Sequence, residues 1–330
     1  MKAFDLHTLI IWENTMLTYI LKRLAAGALT VFFIASVTFG AMHIVPGDPL
    51  MGNKATNAEI RANLARKYGL DLPVHQQYLR YMGNMMKGDF GISFTQQNRS
   101  VNDIIVSHFP ISASLGVLAV IFATIGGILF GSLAAVFRGR ATDRTVMLLV
   151  ILGISVPSFV FAALLQFGMT ELNQWFGSEV LPIGGWGTPL HMLMPALVLG
   201  LGTMAFLTRL KRSSLLEIVN QDYIRTAKAK GLSPLHIFFS HQLRNSVLPV
   251  ITYLGPSIAA ITTGGFVVES VFAIPGLGRY FVQAVQQLDY TVIMGLTVFY
   301  GAFLVFMVIV VDIVYGLIDP RISLTKGKSS

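Results

Sequence analysis

Asp222-Tyr-Ile-Arg-Thr-Ala-Lys-Ala-Lys-Gly-Leu232 sits at the centre of a polar, basic passage, Arg209 to Asn245, set in an otherwise very apolar chain. Good helix formers run from Arg225 to Lys230, Asp222 lies in the first turn, and Gly231 follows the last lysine. An acid near the positive N-terminus, cations near the C-terminus and a glycine stop spell a short helix. At about 1.5 Å per residue it extends only about 13 Å, too short to be stable alone in water, so it docks on something. Between two apolar runs, that something is either its own protein or a partner in the cytosol.

The composition around this passage is that of a chain dissolved in lipid. Of 330 residues, 54% are apolar and 12% charged, against about 25% charged in soluble domains. The net charge of +8 points to basic cytoplasmic loops rather than to nucleic acid, because in membrane proteins the position of the cations matters more than their total. The absence of cysteine excludes disulfides, thiol catalysis and cysteine metal sites.

Working outward, apolar runs fall at 24–45, 111–137, 145–170, 192–207, 246–268 and 291–318, which predicts six spans in an all-α membrane protein. The first, Leu24–Val45, follows Lys22-Arg23 and exceeds the ~7–15 residues of a signal h-region, so it reads as an uncleaved span. Residues 1–23 are then a cytoplasmic N-terminus, whose first fifteen are either an extension or the result of a misplaced start. Pro46-Gly-Asp-Pro49 ends the first span, since proline does not continue a helix. The loop 46–107 that follows holds two amphipathic helices by spacing. One is Asn57–Gly69, with Ile60, Leu64 and Tyr68 on one face. The other is around Gln76–Met86, with Tyr78, Leu79, Met82 and Met86 on one face. Turns are expected at Gly88–Phe94 and Ser100–Asp103. This loop is either a cap over the spans or a substrate contact.

Six spans place both ends on one side. The cytoplasmic segments hold sixteen Lys and Arg, and the short outside loops only Arg279. The long first loop, at about sixty residues, lies where the positive-inside bias stops applying. Both termini are expected in the cytoplasm, with residues 319–330 as a tail.

Glycines inside the spans (Gly126-Gly127, Gly131, Gly255, Gly264-Gly265) permit close helix packing, within the chain or at a subunit seam. Prolines such as Pro157, Pro195, Pro249 and Pro256 suit helices that bend or line a cavity. The segment Glu269-Ser-Val-Phe-Ala-Ile-Pro-Gly-Leu-Gly278, followed by a helix-like Tyr280–Leu288, reads as a re-entrant or interfacial excursion. An acid there is either functional or snorkels to water. Asp312 reads as a helix-end acid. Gly327-Lys-Ser329 is a chance likeness to a phosphate loop, because Ile322 stands where the required glycine would be. The histidines form no ligand pair and no catalytic constellation is visible.

Several of these stretches carry a resemblance. Ala227, Gly231 and Pro234 match the cytoplasmic EAA loop of ABC importer permeases. The runs Asp222–Leu232, His241–Pro249 and Glu269–Gly278 resemble the peptide/nickel branch, most closely the oligopeptide B-type subunit, over Met16 to Arg321. Two departures, Arg225 at the usual glutamate position and a proline delayed to Pro249, separate the chain from the sugar-importer branch. The resemblance implies the type I permease fold, with residues 108–318 as the permease domain and 209–245 as its coupling loop. It implies that Asp222, Tyr223, Arg225, Thr226, Ala227, Lys228, Lys230, Gly231, Leu232 and Pro234 meet an ATPase. Glu269, Pro256, Pro275 and Gly276 are candidates for pathway or gate. Implied partners are a second permease, two cytosolic ATPases that hold ATP and magnesium, and an extracytoplasmic peptide-binding protein. The chain itself is then neither an enzyme nor a cofactor carrier, and sits in the bacterial inner membrane. Dipeptide, glutathione or nickel import shares the motifs. A stand-alone secondary transporter would need intramembrane charges, which are nearly absent here.

Overall fold

A computed structural model describes residues 6–44, 65–66, 69–96, 99–263 and 265–318. The expected helix Asn57–Gly69, the break at Pro46–Pro49, the side chain of Asp312 and the tail lie outside the described residues, apart from Ala65–Arg66 and Gly69. The described residues are helical, and their sole extended pairing is an isolated bridge between Ile92 and Ser100. In order the helices are α1 (Leu6–Ile44), α2 (Val74–Met86), α3 (Val101–Val136), α4 (Ala141–Ser155), α5 (Ser158–Phe176) and α6 (Leu190–Val219). There follow α7 (Asp222–Ala229), α8 (Pro234–Ser246), α9 (Leu248–Thr263), α10 (Phe266–Val271), α11 (Leu277–Gln286) and α12 (Tyr290–Ile318).

Four helical stretches are long and apolar enough to cross a membrane: Leu21–Ile44, Val101–Val136, Leu190–Val219 and Tyr290–Val311. Two bent pairs, α4 with α5 and α8 with α9, raise this to six if each is one span. The first pair turns through 110° at Val156-Pro157, where the predicted run 145–170 has only an interruption. Proline pushes the residue before it out of the helical region, and Val156 accordingly sits at ψ 127°. The second pair bends by 41° at Val247, two residues before Pro249.

Two other boundaries differ from expectation. Ser100–Asp103 is a helix start rather than a turn: Ser100 Oγ accepts from the Asp103 amide at 3.0 Å, and α3 runs on from Val101. Helix α6 continues to Val219, well past the predicted end at Leu207, because its polar extension packs against other helices rather than dissolving in water.

The chain forms two compact units. One comprises residues 1–106 with 283–330. In it α1 lies along α12, and Gly27 and Gly301 let Val305 and Ile34 approach closer than a Cβ would allow. Helix α2 docks there through Tyr78, Tyr81, Met82 and Met85. This corrects the predicted face: Leu79 and Met86 point outward, and the buried set follows i, i+3, i+4, i+7 from Tyr78. The Tyr78 hydroxyl meets Ser36 Oγ at 2.8 Å. Asp289, almost fully buried before α12, accepts from Ser93 Oγ, Thr95 Oγ and the amides of Phe94, Thr95 and Val292.

The other unit, residues 107–282, is built around α6. Gly126 faces Met204, Gly127 faces Leu207, and Gly131 faces Thr208 and Lys211, so the glycines of α3 serve packing within this chain. A core of Leu115, Ala119, Ala162, Met194, Val198 and Phe272 fills the space between helices. An ion pair joins α4 to α6, Arg212 Nε and Nη2 donating to the two carboxylate oxygens of Asp143 at 2.7 and 2.8 Å.

Candidate functional site

The polar passage after α6 folds as its sequence grammar says. Asn220 ends α6, Gln221 is extended, and α7 occupies Asp222–Ala229. Its end is a Schellman stop: the Leu232 amide reaches the Ala227 carbonyl at 3.3 Å and the Gly231 amide the Lys228 carbonyl at 3.0 Å. That geometry places Gly231 at φ +76°, a conformation L side chains rarely adopt. Ser233 then caps α8 through the His236 amide, with Pro234 in its first turn.

The short helix docks on its own chain by one face. Ile224 and Ala227, three residues apart, are buried against Ile237 of α8 and Ile218 of α6. The Tyr223 hydroxyl accepts from Asn245 Nδ2 at 3.1 Å, which ties α7 to the far end of α8. Everything else on α7 looks outward. Asp222 and Arg225 side chains are 97% and 75% exposed, so their 3.6 Å contact adds little. Thr226, Lys228 and Lys230 are exposed, as are Tyr223 at 42%, Leu232 at 38%, Leu235 at 71% and Phe239 at 60%. Large apolar side chains beside cations on a polar loop form a surface suited to a partner rather than to water. The middle of α8, Ile237–Leu243, winds as a π-helix, a rare form frequently found at functional sites.

The second candidate cluster surrounds Glu269. The residue is 2% exposed, in α10, which rules out snorkelling to water. Its Oε2 accepts from the Arg279 amide at 3.2 Å, and Ser112 and the Gly278 amide add further hydrogen bonds. These amides begin α11, so the carboxylate caps that helix from across the Pro275-Gly276 turn. Ser112 Oγ also accepts from the Leu277 amide at 2.8 Å, and a His108 ring nitrogen lies 2.8 Å from the Pro275 carbonyl. Burial pushes the Glu269 carboxyl above the ordinary range, and the hydrogen bonds from Ser112, Arg279 and Gly278 offset part of that rise. Glycine is required at Gly276, where a Cβ would strike Glu269 Oε2 and Ser112 Oγ. Ala273 closes α10 at φ +53°, a left-handed position usually left to glycine. The structure thus brings Glu269, Pro275 and Gly276 together. Pro256 stands exposed inside α9 and takes no part in the hydrogen bonds around Glu269.

Residues 127–324 match the family described as binding-protein-dependent transport system inner membrane component, and residues 16–116 match the N-terminal component of the same system. The chain belongs to this family. It is 45% identical over 94% of its length to the dipeptide transport system permease protein DppB of Bacillus subtilis, 99% of which is covered. Oligopeptide transport system permease protein OppB of Haemophilus influenzae is 41% identical, over 93% of this chain and 99% of that one. OppB of Escherichia coli is 38% identical over the same shares. The chain is therefore an ABC importer permease, a multi-pass protein of the inner membrane with the helical fold expected of it.

Three groups of this permease escape a reading of the sequence. Lys211, within a basic passage, looks solvated but is fully buried. Asp289 looks like a loop acid but organises a buried turn. Gln166 donates to the carbonyls of Ile183 and Val271, holding a loop to α10. Each depends on chain segments far apart in sequence, and only Gly131, a glycine at a helix crossing, hints at any of them.

Proposed function

We propose that this permease forms half of a peptide translocation pathway and is driven by ATPase subunits docked on α7 and its flanks. The observation that carries the coupling assignment is the two-faced α7: its inner face is fixed by Ile224 and Ala227, while Tyr223, Leu232, Leu235 and Phe239 are left outward among cations. A helix docked this way transmits force because its inner face is already committed. ATP-driven closure of the ATPases pushes α7, the spans attached to it tilt, and an outward cavity is exchanged for an inward one. ATP and magnesium belong to the partners, and the second permease completes the pathway. The charge distribution supports cytoplasmic termini.

For the cargo, the reading is oligopeptides, delivered by an extracytoplasmic binding protein. What supports peptides is near full-length similarity to permeases named for them. The relative at 45% identity carries the dipeptide name, which favours dipeptides as the second reading. Tagged permease purified from its native membrane in mild detergent should bring down a second permease and two ATPase chains with ATP hydrolysis. Recovery of this chain alone would overturn the docking of ATPase subunits on α7. Uptake of labelled peptides of two to five residues in a strain lacking the gene, with and without complementation, separates the two cargo readings.

A further inference from the structure

Lys211 is the largest side chain buried without exposure, and neither the core nor the docking face explains it. It lies on α6, at the start of the passage 209–245 and eleven residues before α7. Its Nζ donates to the Leu243 carbonyl at 3.2 Å and to Ser246 Oγ, at the end of α8 where the segment re-enters the apolar region. Ser246 Oγ in turn donates to the Gln242 carbonyl at 2.6 Å. The stem passes beneath α3 at Gly131, where a Cβ would come within 2.7 Å of Lys211 Cβ. Among the described residues no carboxylate pairs with the ammonium, and Asp143 nearby is engaged by Arg212.

A buried ammonium without an acid is expensive, and a methionine would fill the same space with less desolvation. What methionine lacks is directional bonding to the far strand of the loop. One side chain here joins the entrance of the coupling segment to its exit, across the 32 and 35 residues that separate Lys211 from Leu243 and Ser246. The clasped end is also the C-terminal edge of the π-helical run. A π-turn holds one residue more than an α-turn and can yield it by a shift of register. Without a fixed point there, a push on α7 would be absorbed in α8 before reaching α9.

We propose that Lys211 is a positioning residue that clasps the base of the coupling segment, so that displacement of α7 moves α6 and α9 together. This rests on the coupling assignment above. The test is peptide transported per ATP hydrolysed by the purified complex in proteoliposomes with its binding protein. Lys211→Met is expected to assemble at normal stoichiometry and keep hydrolysing ATP while transport per ATP falls roughly ten-fold. Ser246→Ala, which removes one of the two acceptors and little volume, should lose roughly five-fold. A lesion that merely loosened the fold would lower both activities together and leave their ratio unchanged. A wild-type ratio in Lys211→Met overturns the clasp. Should that variant not accumulate, a wild-type ratio in Ser246→Ala overturns it equally. Failure of the unaltered permease to recover any ATPase would instead overturn the coupling assignment.

Discussion

Gly231 holds φ +76° with nothing within 4 Å of where a Cβ would sit, so its requirement is conformational rather than steric. An ordinary L residue there costs about 1–2 kcal/mol, and asparagine or aspartate less because both visit this region. Gly231→Asn should therefore transport at close to the normal rate. Gly231→Asp, of nearly the same shape, should insert normally and abolish uptake, because it places an anion among Lys228, Lys230 and Arg225 on the docking face. Immunoblots of membranes and labelled-peptide uptake read both variants, and normal uptake by Gly231→Asp would sink the coupling assignment. At the other cluster, Glu269→Gln swaps an acceptor oxygen for an amide donor facing Ser112 and the first amides of α11. The loss of that cap is expected to cost about 1–3 kcal/mol and to alter transport kinetics with assembly intact. Gly276→Ala should do the same by driving the carboxylate out of place. Because both act on one cap, the double variant should lose no more than the worse single one by thermal unfolding in detergent. Additive losses would show that Gly276 matters for another reason.

Between elements, inner and outer faces of the coupling segment make opposite predictions. Leu235→Asp and Phe239→Asp alter side chains that are 71% and 60% exposed. Permease stability should change by about 0.5 kcal/mol or less, while recovery of ATPase in pull-downs falls sharply. Ile224→Asp buries a charge against Ile237 and should lower the permease's own stability as well as docking. Equal loss of stability in all three would mean that Leu235 and Phe239 face this chain rather than a partner. Much of this element was legible beforehand. Acid, cations and glycine mark the ends of a helix by local chemistry alone, and α7 ends within a residue of where they put it. Leu79 and Met86 were misplaced because an apolar residue one position off a helical stripe looks the same as one on it until a neighbouring helix selects the face. Lys211 and Ser246 were illegible for a stronger reason. A lysine in a basic passage carries no mark of burial, and its partners stand more than thirty residues away.

At the scale of the whole molecule, the number of crossings rests on the two bent pairs, of which α4–α5 turns far more sharply than α8–α9. Pro157 marks the break and pushes Val156 out of the helical region, but the 110° size of the turn is not written in that one residue. Helix α5, with 19 residues, extends about 28 Å, close to the ~30 Å of hydrocarbon it must cross. Arg138 and Arg140 precede the pair, Arg144 lies in its first turn and no cation lies between it and α6, so the positive-inside bias favours a single crossing from cytoplasm to exterior. The absence of native cysteine makes this directly measurable. Thr142→Cys, Glu179→Cys and Lys230→Cys each place a thiol at an exposed position: at the start of the pair, after it, and on the coupling segment. A membrane-impermeant maleimide should label Glu179→Cys in intact spheroplasts and reach the other two only after permeabilisation. Protection of both Thr142→Cys and Glu179→Cys until permeabilisation would make Ala141–Phe176 a re-entrant excursion from the cytoplasmic side. The crossings would then be odd in number, the termini would lie on opposite sides, and the ATPase-facing surface would have to be sought elsewhere than on α7.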